Sequence, residues 1–180
     1  MRRISWMAAV ACLFFASSVS LADPVENPIY KLWSGFKVGS SRTMTGTMSM
    51  RGMSMDMELK DTLVELAADH ATIESASATI MQGQRHEAPA HKQTFKARDE
   101  KKEEWREVGK EDVKAMGRTF HCRVFEGKLP VPAQGGAPSG GDITSKSWIS
   151  DEVPGGAVQM KISLPQGQEI TYLLKDFQVK

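Results

Sequence analysis

The chain has 180 residues, with 23 Lys and Arg against 22 Asp and Glu, a formal charge of +1 and 41% apolar residues. So even a balance argues against nucleic acid or an anionic membrane as a partner, since both select basic surfaces. With two cysteines in the whole sequence, a disulfide-dense scaffold is excluded as well.

Residues 1–22 have the layout of a bacterial secretory signal: Arg2 and Arg3, an apolar stretch from Trp6 to Ala16, then Ser20-Leu21-Ala22 before Asp23. Cleavage is expected after Ala22, leaving residues 23–180 as one domain, exported to the periplasm or beyond the cell. The apolar stretch is too short for about 30 Å of hydrocarbon, and no later segment reaches the roughly 20 apolar residues of a membrane helix, so no membrane span is expected. Cys12 has Ala9, not Leu, three residues before it, which argues against a lipid anchor there. Cleavage removes two arginines and no acids, so 21 basic residues (23 less 2) face 22 acidic ones and the charge becomes −1. Cys122 is then the single thiol, which excludes an internal disulfide, and a chain of this length can bury roughly 68% of its unfolded surface without one.

A short helix opens the domain. Asn27 is placed to cap it, Pro28 fits its first position, Gly35 can close it, and Ile29, Leu32, Trp33 and Phe36 share one face at helical spacing. The period then switches to two. From Thr43 to Leu59 polar residues alternate with Met or Leu on both sides of Arg51-Gly52, which predicts a hairpin with a two-residue turn. Further strands are expected over Leu63 to Leu66, Ala71 to Met81 and Lys92 to Ala97, with Ala68-Asp69-His70 as a turn. Arg98 to Arg106 is dense in mixed charge and reads as either a solvated turn of helix or an edge region that discourages strand pairing. Glu111 to Ala115 and Thr119 to Glu126 form a second hairpin with Phe120, Cys122 and Val124 pointing inward, and Pro130 to Asp142 is a Pro- and Gly-rich loop. Three strands follow, Ile143 to Ser150, Val158 to Leu164 and Glu169 to Lys175. Val158, Met160, Ile162 and Leu164 alternate with Gln159, Lys161 and Ser163, which predicts one wet face there. Consecutive hairpins without intervening helices imply a mainly β fold, an antiparallel meander curled into a half-barrel or barrel beside the N-terminal helix.

The segments Val113 to Cys122 and Thr144 to Val158 resemble the C-terminal half of exported bacterial β-domain proteins of uncharacterised function. More distantly, the layout is similar to the half-barrel of periplasmic lipoprotein carriers. That resemblance implies a non-enzymatic binding or carrier module, with a groove lined by methionines and large aliphatics for a lipid-like or lipoprotein ligand.

The methionines are the compositional anomaly. With Arg51 and Gly52 as the turn, Met50 opposes Met53, Met48 opposes Met55, Gly46 opposes Met57 and Met44 opposes Leu59, all on one face. Such a row suits the core face of a strand or the lining of an apolar groove. Soft thioethers also select copper(I), and the spacing resembles methionine-rich segments of copper-handling proteins, so Met48, Met50, Met53 and Met55 are candidate ligands for a copper(I) ion. No other cofactor is expected. His70, His86, His91 and His121 lack the spacing of a zinc site and read as surface residues. His121 and Cys122 are strand neighbours pointing to opposite faces, which excludes a nucleophile and base pair. With no nucleophile elbow or phosphate loop, no catalytic residues are assigned and the chain is expected not to be an enzyme. Trp105 and Trp148 could stack on a ligand or keep one wet edge in a core. Three readings stand: a carrier for an apolar ligand, a copper(I)-binding protein, and a structural envelope domain.

Overall fold

The computed structural model describes residues 25–50, 53–99, 105–129, 143–164 and 168–180. The expected signal segment, the expected turn at Arg51-Gly52, the expected loop from Pro130 to Asp142 and residues 100–104 and 165–167 lie outside the described residues.

A two-residue strand β1 (Val25–Glu26) leads into helix α1 (Pro28–Ser34). Asn27 caps the helix as expected: its Oδ1 accepts from the backbone N–H groups of Ile29 at 2.9 Å and Tyr30 at 3.3 Å, and Gly35 ends it. Trp33 is buried while Ile29, Leu32 and Phe36 are half-buried, which is the face the spacing predicts. The helix is held at its start by Asn27 N–H donating to the Ala97 carbonyl, and from its side by Tyr30 Oη donating to the Ala67 carbonyl at 3.0 Å.

The remaining strands are β2 (Ser41–Met50), β3 (Met53–Leu66), β4 (His70–Met81), β5 (Gln84–Glu87), β6 (His91–Lys96), β7 (Arg98–Asp99), β8 (Arg106–Ala115), β9 (Arg118–Leu129), β10 (Ile143–Ile149), β11 (Ala157–Ser163) and β12 (Glu169–Gln178). Ten of them form one open antiparallel sheet in the order β5-β4-β3-β2-β12-β11-β10-β9-β8, with β6 also on β4; β1 pairs β7 apart from it. Two meanders, β2 to β6 and β8 to β12, are thus joined through the pairing of β2 with the last strand. Bulges at Leu63/Glu65, Glu107/Gly109, Trp148/Ile149 and Leu174/Asp176 add local bend and twist. The sheet is a curved half-barrel that does not close.

Several expectations need adjustment. Leu63 to Leu66 is the end of β3, because Leu63 continues the ladder to Ile73. The short β5 was missed, since a strand of four exposed residues carries no apolar period. His86, His91 and His121 are exposed as expected, whereas His70 is half-buried and opens β4 instead of belonging to the turn. The alternation on β11 is weaker than expected: Gln159, Lys161 and Ser163 are half-buried like Met160 and Ile162, although the Lys161 side chain reaches water and pairs with Glu169 at 3.3 Å.

One core gathers Val113, Ala115, Phe120, Cys122, Val124, Trp148, Val153, Val158 and Leu174. Phe120, Cys122 and Val124 are the inward set predicted for that hairpin, and burial pushes the Cys122 thiol up to about 11. Trp148 is a core residue with one polar edge, its indole N–H donating to Glu111 Oε2 at 2.7 Å. Trp33, Leu63, Ala71 and Ile73 form a second cluster and Met44, Ile149 and Ala157 a third.

Trp33 packs tightly against the turn from β10 to β11. A Cβ on Gly155 would stand 2.6 Å from the Trp33 ring, and its φ of +68° is one that side chains rarely adopt. Gly117, at φ +74° in the β8–β9 turn, has nothing within 4 Å of the same position. Gly155→Ala is therefore expected to cost about 2 to 5 kcal/mol, adding left-handed strain to overpacking, and Gly117→Ala about 1 to 2 kcal/mol from strain alone. Urea unfolding of the two variants checks the difference.

Candidate functional site

A cavity of about 470 Å³ opens between α1 and the face of the sheet that carries Arg42, Asp61, Phe125 and Ile149. Strands from both meanders line it, β2, β3, β4 and β6 on one side and β9, β10 and β11 on the other, so the sheet curves around it. We call this the inner face. Its walls are largely apolar: Ile29, Leu32 and Trp33 from the helix, Ile73 and Phe95, Trp105, Phe125, Ile149, Ala157 and Met160.

The floor is polar and closed on itself. Arg42 Nε and Nη2 donate to Asp61 Oδ2 at 3.1 and 2.9 Å, and Nη1 donates to the Gly155 carbonyl at 2.6 Å. The other Asp61 oxygen, Oδ1, accepts from Ser75 Oγ at 2.7 Å. The guanidinium also lies 5.7 Å from the Trp33 ring centroid, within range of a cation–π contact. With side-chain exposures of 15% and 9%, Arg42 and Asp61 are a largely desolvated pair, acceptable only because partners surround both charges. Arg123 at the cavity wall is tied outward, Nη2 to Asp151 Oδ1 at 3.0 Å.

This site differs from the expected groove. Met160 is the one methionine among the lining residues, and Met48, Met50, Met53 and Met55 are not part of the wall. Their ladder is nevertheless as the turn arithmetic requires: Met50 pairs with Met53, Met48 with Met55, Gly46 with Met57 and Met44 with Leu59. Strand alternation puts Met44, Met48, Met55 and Met57 on the same inner face as Arg42 and Asp61, farther along the two strands. Met44 is buried, whereas Met48, Met55 and Met57 are half-buried; the side chains of Met50 and Met53 lie outside the described residues. Trp105 lines the cavity and Trp148 does not. Arg42, Asp61 and Ser75 were missed by sequence reasoning, because polar residues at period two are indistinguishable there from a solvated face.

Among the described residues no group of three or more His, Cys, Asp and Glu is placed to hold a metal ion, and no helix is long and apolar enough to cross a membrane. His121 Nδ1 lies 2.6 Å from Asp112 Oδ1 on the exposed side of its hairpin. His70 is held between Asp69 and Glu65, and its bond to the Asp69 carboxylate raises its pKa.

No family profile and no curated protein matches the chain by sequence. Among solved structures it is similar to a domain from Vibrio parahaemolyticus provisionally named as an outer membrane lipoprotein-sorting protein. That likeness has 11% identity and a TM-score of 0.34 and covers 84% of this chain and 89% of that one. It is also similar to a DUF1329 family protein from Desulfovibrio piger, at 9% identity and a TM-score of 0.30, covering 84% of this chain and 92% of that one. Both are loose likenesses, and the half-barrel stands on this chain's own strand order and register.

The buried pair at the cavity floor gives a sharp expectation. Asp61→Ala leaves the Arg42 charge without its carboxylate and should cost about 3 to 5 kcal/mol, whereas replacing both with apolar residues, Arg42→Met with Asp61→Leu, should cost clearly less. Urea unfolding of the single and double variants measures both, and a double variant less stable than Asp61→Ala would contradict it.

Proposed function

We propose that the protein is an exported, non-enzymatic binding or carrier module that holds the hydrocarbon part of a lipid-like molecule, free or attached to a lipoprotein, in the cavity beneath α1. The observation that carries this reading is the cavity itself: about 470 Å³ of space lined chiefly by aromatic and aliphatic side chains. That volume falls in the range of roughly 300 to 1,000 Å³ typical of small-molecule sites. Four aromatic residues, Trp33, Phe95, Trp105 and Phe125, offer flat apolar surface to a chain of methylene groups. The polar groups on the floor bond to one another, which suits a pocket that accepts hydrocarbon and performs no proton transfer. Export is supported by the sequence of residues 1–22.

The full chain should bind dansylated undecanoic acid saturably, with blue-shifted emission that palmitate displaces. Ser147, 2% exposed and lining the cavity, gives a variant that fills it: Ser147→Phe should weaken the probe by about tenfold or more, a loss of about 1.4 kcal/mol. Should that variant fail to fold, native mass spectrometry of the protein from its own envelope fraction decides, with a retained mass of lipid size expected. A chain that neither binds the probe nor carries such a mass would overturn the reading.

A further inference from the structure

We propose that Met48, Met55 and Met57 form a site for one copper(I) ion on the inner face, beyond the cavity. The register places Met48 directly opposite Met55, and Met57 is two residues farther along β3 on the same side. Opposed Cβ atoms in such a ladder are about 4.5 to 5.5 Å apart, and residues two apart on a strand are about 6.6 Å apart. Three flexible thioether arms starting from those points can bring their sulfurs onto one ion.

Exposure separates these methionines from packing residues. Met44, in the same row, is 1% exposed and sits in a cluster with Ile149 and Ala157. Met48, Met55 and Met57 are half-buried, and α1 lies against β4 and β6, away from them. Part of each of these side chains therefore reaches solvent, while the apolar row around them keeps the site partly dry. Met57 Sδ accepts the hydroxyl hydrogen of Tyr172 at 3.5 Å, a contact that fixes the thioether and uses one of its two lone pairs. The second lone pair remains for a metal.

The donor set chooses the metal. Thioethers are soft and neutral, and they favour copper(I) over hard cations such as magnesium or calcium. Binding is simple coordination, with no change of oxidation state and no proton released. It is independent of the carrier reading, because the ligands lie outside the cavity wall.

The test is an anaerobic titration of the full chain with copper(I) in competition with bicinchoninate. The chain should withdraw one ion, and in methyl-labelled methionine NMR the signals of Met48, Met55 and Met57 should shift while those of Met44 and Met160 stay. The variant Met48→Leu, Met55→Leu, Met57→Leu keeps the apolar volume and should lose the withdrawal, with dansylated undecanoic acid bound as before. No withdrawal by the unaltered chain, shifts confined to other methionines, or a folded triple variant that competes as well as the parent would each overturn the proposal. If the triple variant does not fold, the methyl shifts of the unaltered chain decide.

Discussion

A guanidinium shielded from water must have its charge answered on every side, and at Arg42 the partners come from elements far apart in sequence. The carboxylate comes from Asp61 on β3, the carbonyl from Gly155 in the turn between β10 and β11, and the aromatic face from Trp33 on α1. Losing one partner from such a pair costs several kcal/mol, comparable with much of the 5 to 15 kcal/mol by which a domain is stable. The pair therefore favours one relative placement of helix, turn and strands over a range of similar ones. An apolar pair of the same volume would pack there, but its attraction would be non-directional.

The same arrangement explains why the cavity stays open. The helix cannot sink onto the sheet, because Trp33 already rests against Gly155 at the limit of approach and Leu32 lies nearly as close to Gly156. It cannot readily lift away, because Gly155 N–H donates to the Leu32 carbonyl and Asn27 N–H to the Ala97 carbonyl. Anchored at both ends, α1 spans a sheet whose curvature keeps its middle out of reach, and the gap is lined by what the two surfaces would otherwise have buried against each other.

How much of this was legible follows from the range of each interaction. The α1 cap, its buried face and the ladder from Met44 to Leu59 depend on residues within some twenty positions of each other, and they were readable because spacing alone determines them. The pairing of β2 with β12 joins Thr47 to Thr171 and Ser41 to Gln178, and nothing in either segment's pattern names its partner. Arg42 and Asp61 were hidden for a related reason. On an alternating strand a polar residue signals water unless something covers it, and what covers these two is a helix and a turn assembled through that same pairing.

The inner face is therefore one surface with two kinds of chemistry, and Tyr172 stands between them. Its ring packs over Gly46, where a Cβ would come within 2.9 Å of the ring and of the Thr171 carbonyl, so a side chain at position 46 would displace it. Toward the cavity Tyr172 joins the cluster of Met44, Ile149 and Ala157 with Met160, and in the other direction its hydroxyl reaches Met57. Burial raises its pKa, which keeps the phenol protonated and able to donate to sulfur across the neutral range. The ring packs with the cluster behind the cavity wall, while the hydroxyl meets the thioether row. A residue with an apolar body and a polar tip is suited to that boundary, because its ring packs among apolar side chains while its hydroxyl keeps a partner in Met57.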